Sequence, residues 1–263
     1  MEFFTILLSS LLTVVSVGGL LTDSTAESSI RSQFQRVEQL KVRIDNAPTH
    51  QILQGKANHV RVASRGAWLT PDIRLDTLEL ETDPVSLDLA RQSQAAGGSF
   101  RQLLEQPLQA GVRLALTEED INRALRSPLV NEKLQEIAGK LLQLPGAQAG
   151  QSYQLVNPQV KLLAENRLRF QAQLTATNAE PLAVSLESGL NVVAGRSLQL
   201  VNPVLSINEQ PIPPQLVRVL TGAIGTQFDL RSLESSGILA RILKLNIDSQ
   251  QIELATFVQV APL

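Results

Sequence analysis

Between Val37 and Leu89 the chain alternates apolar and polar residues in four short runs, and no other feature constrains the fold as tightly. The runs are Leu40/Val42/Ile44, Val60/Val62, Ile73/Leu75 with Leu78/Leu80, and Val85/Leu87/Leu89. Turn signals at Asn46-Ala47-Pro48, Arg65-Gly66 and Asp83-Pro84 separate them. Successive strand side chains point to opposite faces, so each run has one apolar and one polar side. The segment therefore predicts a sheet with a single apolar face. Between Leu75 and Leu78 the apolar positions change from odd to even numbers, which predicts a one-residue bulge at Asp76-Thr77 and a bent strand. A bent sheet can curl around packed protein or around a ligand.

Composition narrows that choice. With 263 residues and 43% hydrophobic content, the chain can bury a real core in one large domain or two small ones. A net charge of -2, from 23 basic and 25 acidic residues, leaves no electrostatic footprint for nucleic acid. The absence of cysteine excludes disulfides and thiolate chemistry. Aromatic residues make up only 3%, so the interior is aliphatic, suited to acyl chains rather than to stacking bases or sugars.

Phe3 to Leu21 is an uncharged run long enough to cross a bilayer, for which roughly 20 residues are needed. It reads as a membrane helix or as a secretory signal with small residues at Ser24 and Ala26, although Glu2 stands where a signal carries a basic residue. Either reading puts the protein at or beyond a membrane. Residues 1–26 are thus anchor or signal, and 27–263 a single domain. Thr22 to Val37 is expected to be a short helix with Ile30, Phe34 and Val37 on one face.

Further along, Gln92 to Ser99 is a polar loop and Phe100 to Gln106 a helical turn before Pro107. Val112/Leu114/Leu116 form a strand. Thr117 then caps a helix whose first turn is Glu118-Glu119-Asp120, and capping accounts for that acidic cluster without a metal. The helix is expected to bury Ile121, Ala124 and Leu125 and to break at Ser127-Pro128. A second helix, from about Leu129 to Leu144, carries an apolar stripe of Val130, Leu134, Ile137, Ala138, Leu141 and Leu142, with Glu132, Lys133, Gln135, Glu136 and Lys140 outward. Pro145-Gly146 opens a flexible linker near 145–151.

The second half is mainly strands. Leu168/Phe170/Ala172/Leu174/Ala176 alternate faultlessly with Arg167/Arg169/Gln171/Gln173/Thr175 after a hairpin at Glu165-Asn166. Leu182 to Val192 continues the pattern across a bend at Ser188-Gly189. The string QLVNP occurs at Gln154 to Pro158 and again at Gln199 to Pro203, marking two similar devices in edge or crossing strands. Pro211 to Pro214 opens a helix with Leu216, Val217, Leu220, Ala223 and Ile224 on its apolar side, and a hairpin around Asp248 to Gln251 closes the chain. The order argues for an α+β fold of elongated, curled, mainly antiparallel sheet wrapped on a few amphipathic helices.

The sequence offers no chemical signature of an enzyme. His50 and His59 lack partners at ligand spacing, and there is no nucleophile elbow, zinc-protease motif, P-loop or dinucleotide fingerprint. No cofactor or metal is expected.

Gly55 to Val62 (GKANHVRV), Arg65-Gly66, Pro71 to Thr82 (PDIRLDTLELET) and Leu116 to Leu125 (LTEEDINRAL) together resemble the LmeA-like phospholipid-binding proteins of the bacterial envelope. Ile212-Pro213-Pro214 and the closing hairpin add to the likeness, which covers roughly Ala26 to Val260. The resemblance implies a membrane-associated or exported protein with a curled sheet related to tubular lipid-binding domains, holding phospholipid on its apolar face. The expected partners are phospholipid or another acyl lipid and, through the N-terminal segment, a membrane, in non-enzymatic binding and transfer. The expected lining is Ile73, Leu75, Leu78 and Leu80 with Leu134, Ile137, Leu141, Leu168, Phe170 and Leu174. Arg61, Arg65, Arg167 and Arg169 are headgroup candidates on the polar side. The rival expectation is an envelope scaffold whose core is fully packed and whose surface binds a protein.

Overall fold

The computed structural model describes residues 27–28, 30–32, 34–45, 55–88, 100–141, 153–176, 180–213, 217 and 229–263, with backbone alone at 137, 138, 140 and 141. Phe3 to Leu21, the linker near 145–151, and all but Val217 of the apolar face expected in the helix after Pro214 lie outside the described residues. The elements are β1 (Arg36–Asp45), β2 (Lys56–Ala57), β3 (His59–Trp68), β4 (Arg74–Thr82), β5 (Val85–Ser86) and β6 (Leu108–Thr117), then α1 (Glu118–Leu125) and α2 (Pro128–Leu141). There follow β7 (Tyr153–Leu163), β8 (Arg167–Ala176), β9 (Leu182–Val193), β10 (Ser197–Ile207), β11 (Gln210–Pro211), β12 (Ile238–Ile247) and β13 (Gln251–Val260). The fold is the α+β, mainly antiparallel arrangement that the alternation predicts. Two compact units divide it: the described parts of Met1–Ala115, Leu230–Lys244 and Glu253–Leu263, and those of Leu116–Asp229 and Leu245–Ile252.

The first unit is built on a sheet of order β1-β3-β4-β6-β13-β12. Val42 lies opposite Val62, Val62 opposite Leu80, and Leu80 opposite Val112, so one apolar row crosses the first four strands. All four side chains are buried. The other face carries charge in alternating sign: Arg61 of β3 binds Glu81 of β4 at 2.8 Å, and Arg113 of β6 binds Glu79 of β4 at 2.9 Å and also Glu253 of β13. Ile30, Phe34 and Val37 are buried as expected, although Val37 belongs to β1 rather than to a helix. The fourth alternating run does not extend this sheet. Only Val85-Ser86 forms a strand, paired with Lys56-Ala57, while Leu87 bridges Leu104. Phe100–Leu103 is the expected turn, in 3-10 form, and Leu230–Ser236 is a second 3-10 segment.

The bulge expected at Asp76-Thr77 is absent. Register between β3 and β4 is unbroken, with Ala67 opposite Leu75 and Ser64 opposite Leu78, and β1 keeps step, with Val37 opposite Ala67 and Leu40 opposite Ser64. Burial changes parity close together in all three strands, between Val37 and Leu40, between Gly66 and Ala67, and between Thr77 and Leu78. Gly66 stands there at φ 58°, and the Glu38 carboxyl fills the space a Cβ would take. A glycine shared by three strands, rather than an insertion in one, accounts for the switch.

The second unit is an antiparallel meander of order β11-β10-β9-β8-β7. β9 runs through Ser188-Gly189 without a break. Both QLVNP strings continue their strands and shift register inside them, between Val156 and Gln159 in β7 and between Val201 and Val204 in β10. Asn157 at φ 54° and Asn202 at φ 48° take the left-handed conformation that asparagine tolerates, and the prolines that follow have no N–H to pair. Thr117 caps α1 with a complete capping box to Asp120, as its sequence predicts. The burial expected on α1 is not found: Ile121, Ala124 and Leu125 are half-buried, and Asp120 is its buried side chain, at 2% exposure.

Candidate functional site

The reason α1 keeps a polar inner side lies in what it meets. α1 and α2 pack on β7, the edge strand of the meander. An edge strand presents unpaired backbone groups, and these want hydrogen bonds rather than apolar contact. Glu118 accepts from Leu162 N at 2.9 Å; Asn122 accepts from Val160 N at 2.7 Å and donates to Val160 O at 2.8 Å. On α2, Gln135 accepts from Leu155 N at 2.9 Å and donates to Leu155 O at 2.6 Å. Gln135 was expected to face outward, because helical periodicity records polarity and not the partner.

One face of the meander is aliphatic. β8 contributes Leu168, Phe170, Ala172 and Leu174, whose cross-strand partners include Leu162, Val160 and Leu155 on β7 and Leu186, Val184 and Leu182 on β9. Leu190 and Val192 of β9, with Leu200 and Leu198 of β10, extend it. Leu162, Ala172 and Leu174 are buried, but Leu168, Phe170, Leu186, Leu190, Leu198 and Leu200 remain half-buried. A contiguous aliphatic surface left at that exposure marks a place for an apolar ligand or partner.

The expected lining residues fall in both units. Ile73, Leu75, Leu78 and Leu80 belong to the first, where they are 6%, 0%, 1% and 7% exposed and have no open surface to offer a ligand. Leu168, Phe170 and Leu174 share the meander's aliphatic face. Leu134 on α2 is half-buried, and the side chains of Ile137 and Leu141 lie outside the described residues. The headgroup candidates all stand on polar faces, and each already has a carboxylate. Arg61 binds Asp45 at 3.0 Å and Glu81 at 2.8 Å, and Arg65 binds Glu79 at 3.4 Å. Arg167 and Arg169 converge on Glu187 at 2.8 and 2.7 Å. Hydrogen bonds from Arg169 and then Arg167 hold the Glu187 carboxyl below its ordinary range.

Beside β7, the helices leave a cleft of about 540 Å³ lined by Leu125, Arg126, Asn131, Gln135 and the segment Gln154, Leu155, Val156, Asn157, Pro158 and Gln159. The first QLVNP string is thus part of its wall. Sequence reasoning marked that string as a device but did not connect it with Arg126 or Asn131, since no local spacing relates them. Among the described residues no group of three or more His, Asp or Glu side chains could hold a metal, and no helix is long and apolar enough to cross a membrane.

An antiparallel sheet with one half-open aliphatic face has room for an apolar ligand or partner. Comparison with known families identifies the kind of protein: residues 13–257 match the LmeA-like phospholipid-binding family, and the chain belongs to it. Neither the curated proteins nor the solved structures contain a match to this chain.

Proposed function

We propose that the protein binds phospholipid without chemical conversion, laying the acyl chains on the aliphatic face of the β7–β10 meander, and passes lipid at or beyond a bacterial membrane. The observation that carries this reading is the half-burial of Leu168, Phe170, Leu186, Leu190 and Leu200 in a chain of a phospholipid-binding family. Burying about a dozen methylenes at ~0.8 kcal/mol each supplies on the order of 10 kcal/mol, comparable to a domain's whole stability. The scaffold reading draws its support from the first unit, where Leu75 and Leu78 are sealed in packed protein.

The test is native mass spectrometry with solvent extraction on the full chain, purified from membranes and exchanged into amphipol. Phospholipid at a fixed stoichiometry is the expected result, falling to background in Phe170→Asp while that variant keeps a cooperative thermal transition. A wild-type chain that carries no lipid after incubation with phospholipid vesicles would sink the proposal in favour of the scaffold.

A further inference from the structure

The cleft beside β7 has a composition that sets it apart from the charged faces of both sheets. Its wall holds five carboxamides, from Asn131, Gln135, Gln154, Asn157 and Gln159, and one guanidinium, from Arg126. Among the described residues none of that wall is a carboxylate. Arg126 is exposed and, among the described residues, its guanidinium has no acidic partner, unlike Arg61, Arg65, Arg167 and Arg169. The amides are not all spent on the fold. Gln135 is held by Leu155 and donates to Asn131 Oδ1 at 3.1 Å, which turns the donor end of Asn131 toward other acceptors. The side chains of Gln154 and Gln159 make no hydrogen bond within the described protein. Donors and a cation without an acid select an anion.

Leu155 lines this cleft and also lies opposite Leu174, so the polar wall and the aliphatic face meet at one residue. The register shift at Val156/Gln159 re-aims the backbone there, as bulges beside sites do. A ligand with a phosphate at one end and hydrocarbon at the other fits that succession.

We propose that the cleft is the seat of the lipid's phosphate, with Arg126 supplying the charge and Asn131, Gln154 and Gln159 the neutral donors. This rests on the phospholipid reading and adds the residues that recognise the headgroup.

Two fluorescent lipids with identical acyl chains separate the two claims: a phosphatidic acid, and the diacylglycerol that lacks the phosphate. Both are titrated into the full chain in amphipol, alongside glycerol 3-phosphate as a competitor without chains. Wild type should bind the phosphatidic acid about tenfold more tightly or better, as a charge-assisted contact warrants. Arg126→Gln should bring it down to the diacylglycerol level, and Arg126→Lys should keep part of the preference. Asn131→Ala should reduce the preference with diacylglycerol affinity unchanged, whereas Phe170→Asp should weaken both lipids. If Arg126→Gln and Asn131→Ala keep full preference while Phe170→Asp loses both lipids, the seat is elsewhere and the phospholipid reading stands. If wild type binds neither lipid but does bind glycerol 3-phosphate through Arg126, the seat holds a soluble phosphate ester and the lipid reading falls. If nothing binds, both fall.

Discussion

Gly66 is held at φ 58°, in the left-handed region where a Cβ meets the following carbonyl at a cost of roughly 1–2 kcal/mol. Gly66→Ala should lower unfolding stability by about that amount, read from the urea midpoint. The Glu38 carboxyl that fills the Cβ space is the end of a flexible side chain and can swing aside, so the backbone conformation dominates the cost. Glu187 makes a second prediction, about pH. Its carboxyl titrates below the ordinary 4.5 because Arg169 and Arg167 bond its ionised form. Folding then releases a proton that the unfolded chain would hold, so the pair's stabilisation is complete above 4.5 and disappears as pH falls through the lowered value. Glu187→Gln should flatten the acid side of a stability profile taken from pH 6 down to 3; an unchanged slope would mean the ion pair adds nothing.

At the scale of elements, the meander treats its β7 edge as a surface to be capped. Glu118, Asn122 and Gln135 act as substitutes for a neighbouring strand, each bonding a backbone group of β7. Replacing Asn122 and Gln135 together by leucine leaves the N–H and C=O of Val160 and Leu155 without those partners. The double variant should lose about 2–4 kcal/mol, moderated by water because the sites are only partly buried, and should self-associate in sedimentation velocity through the bared edge. A monomer of wild-type stability would show that the helices cover the edge sterically and the bonds are incidental. These contacts also show which parts of the fold were legible. The Thr117 to Asp120 capping box and the two QLVNP devices are local, so spacing alone revealed them. Gln135 and Leu155 are twenty positions apart, and a polar residue on a helix looks the same whether it meets water or an edge strand. The parity change between Leu75 and Leu78 was legible too, but its cause was not: one strand shows a shift, and only its neighbours show that all three share it. Among the candidate lining residues, alternation identified Phe170 and Leu75 alike as inward-facing; which inward face is sealed depends on the elements laid over it, and those are distant in sequence.

For the whole molecule, the two units differ in how much of their aliphatic surface protein covers. The first seals Leu75 and Leu78, while the second leaves Phe170 and Leu186 half-buried, so among the expected lining residues those of the second offer a lipid surface to gain. A ligand that binds the native state alone stabilises what it touches by mass action, about 2.7 kcal/mol at one hundred times its dissociation constant. Local opening is graded across a structure, so hydrogen exchange can read that gain unit by unit. Saturating phosphatidic acid should slow exchange of the β8 and β9 amides by up to roughly a hundredfold, with those of β3 and β4 unchanged. Protection rising equally in both units would mean that the lipid's effect is not local to the meander, and its aliphatic face would lose its claim as the seat. Protection confined to β3 and β4 would place the lipid in the unit whose core is already full, and the aliphatic face of the meander would then need another occupant.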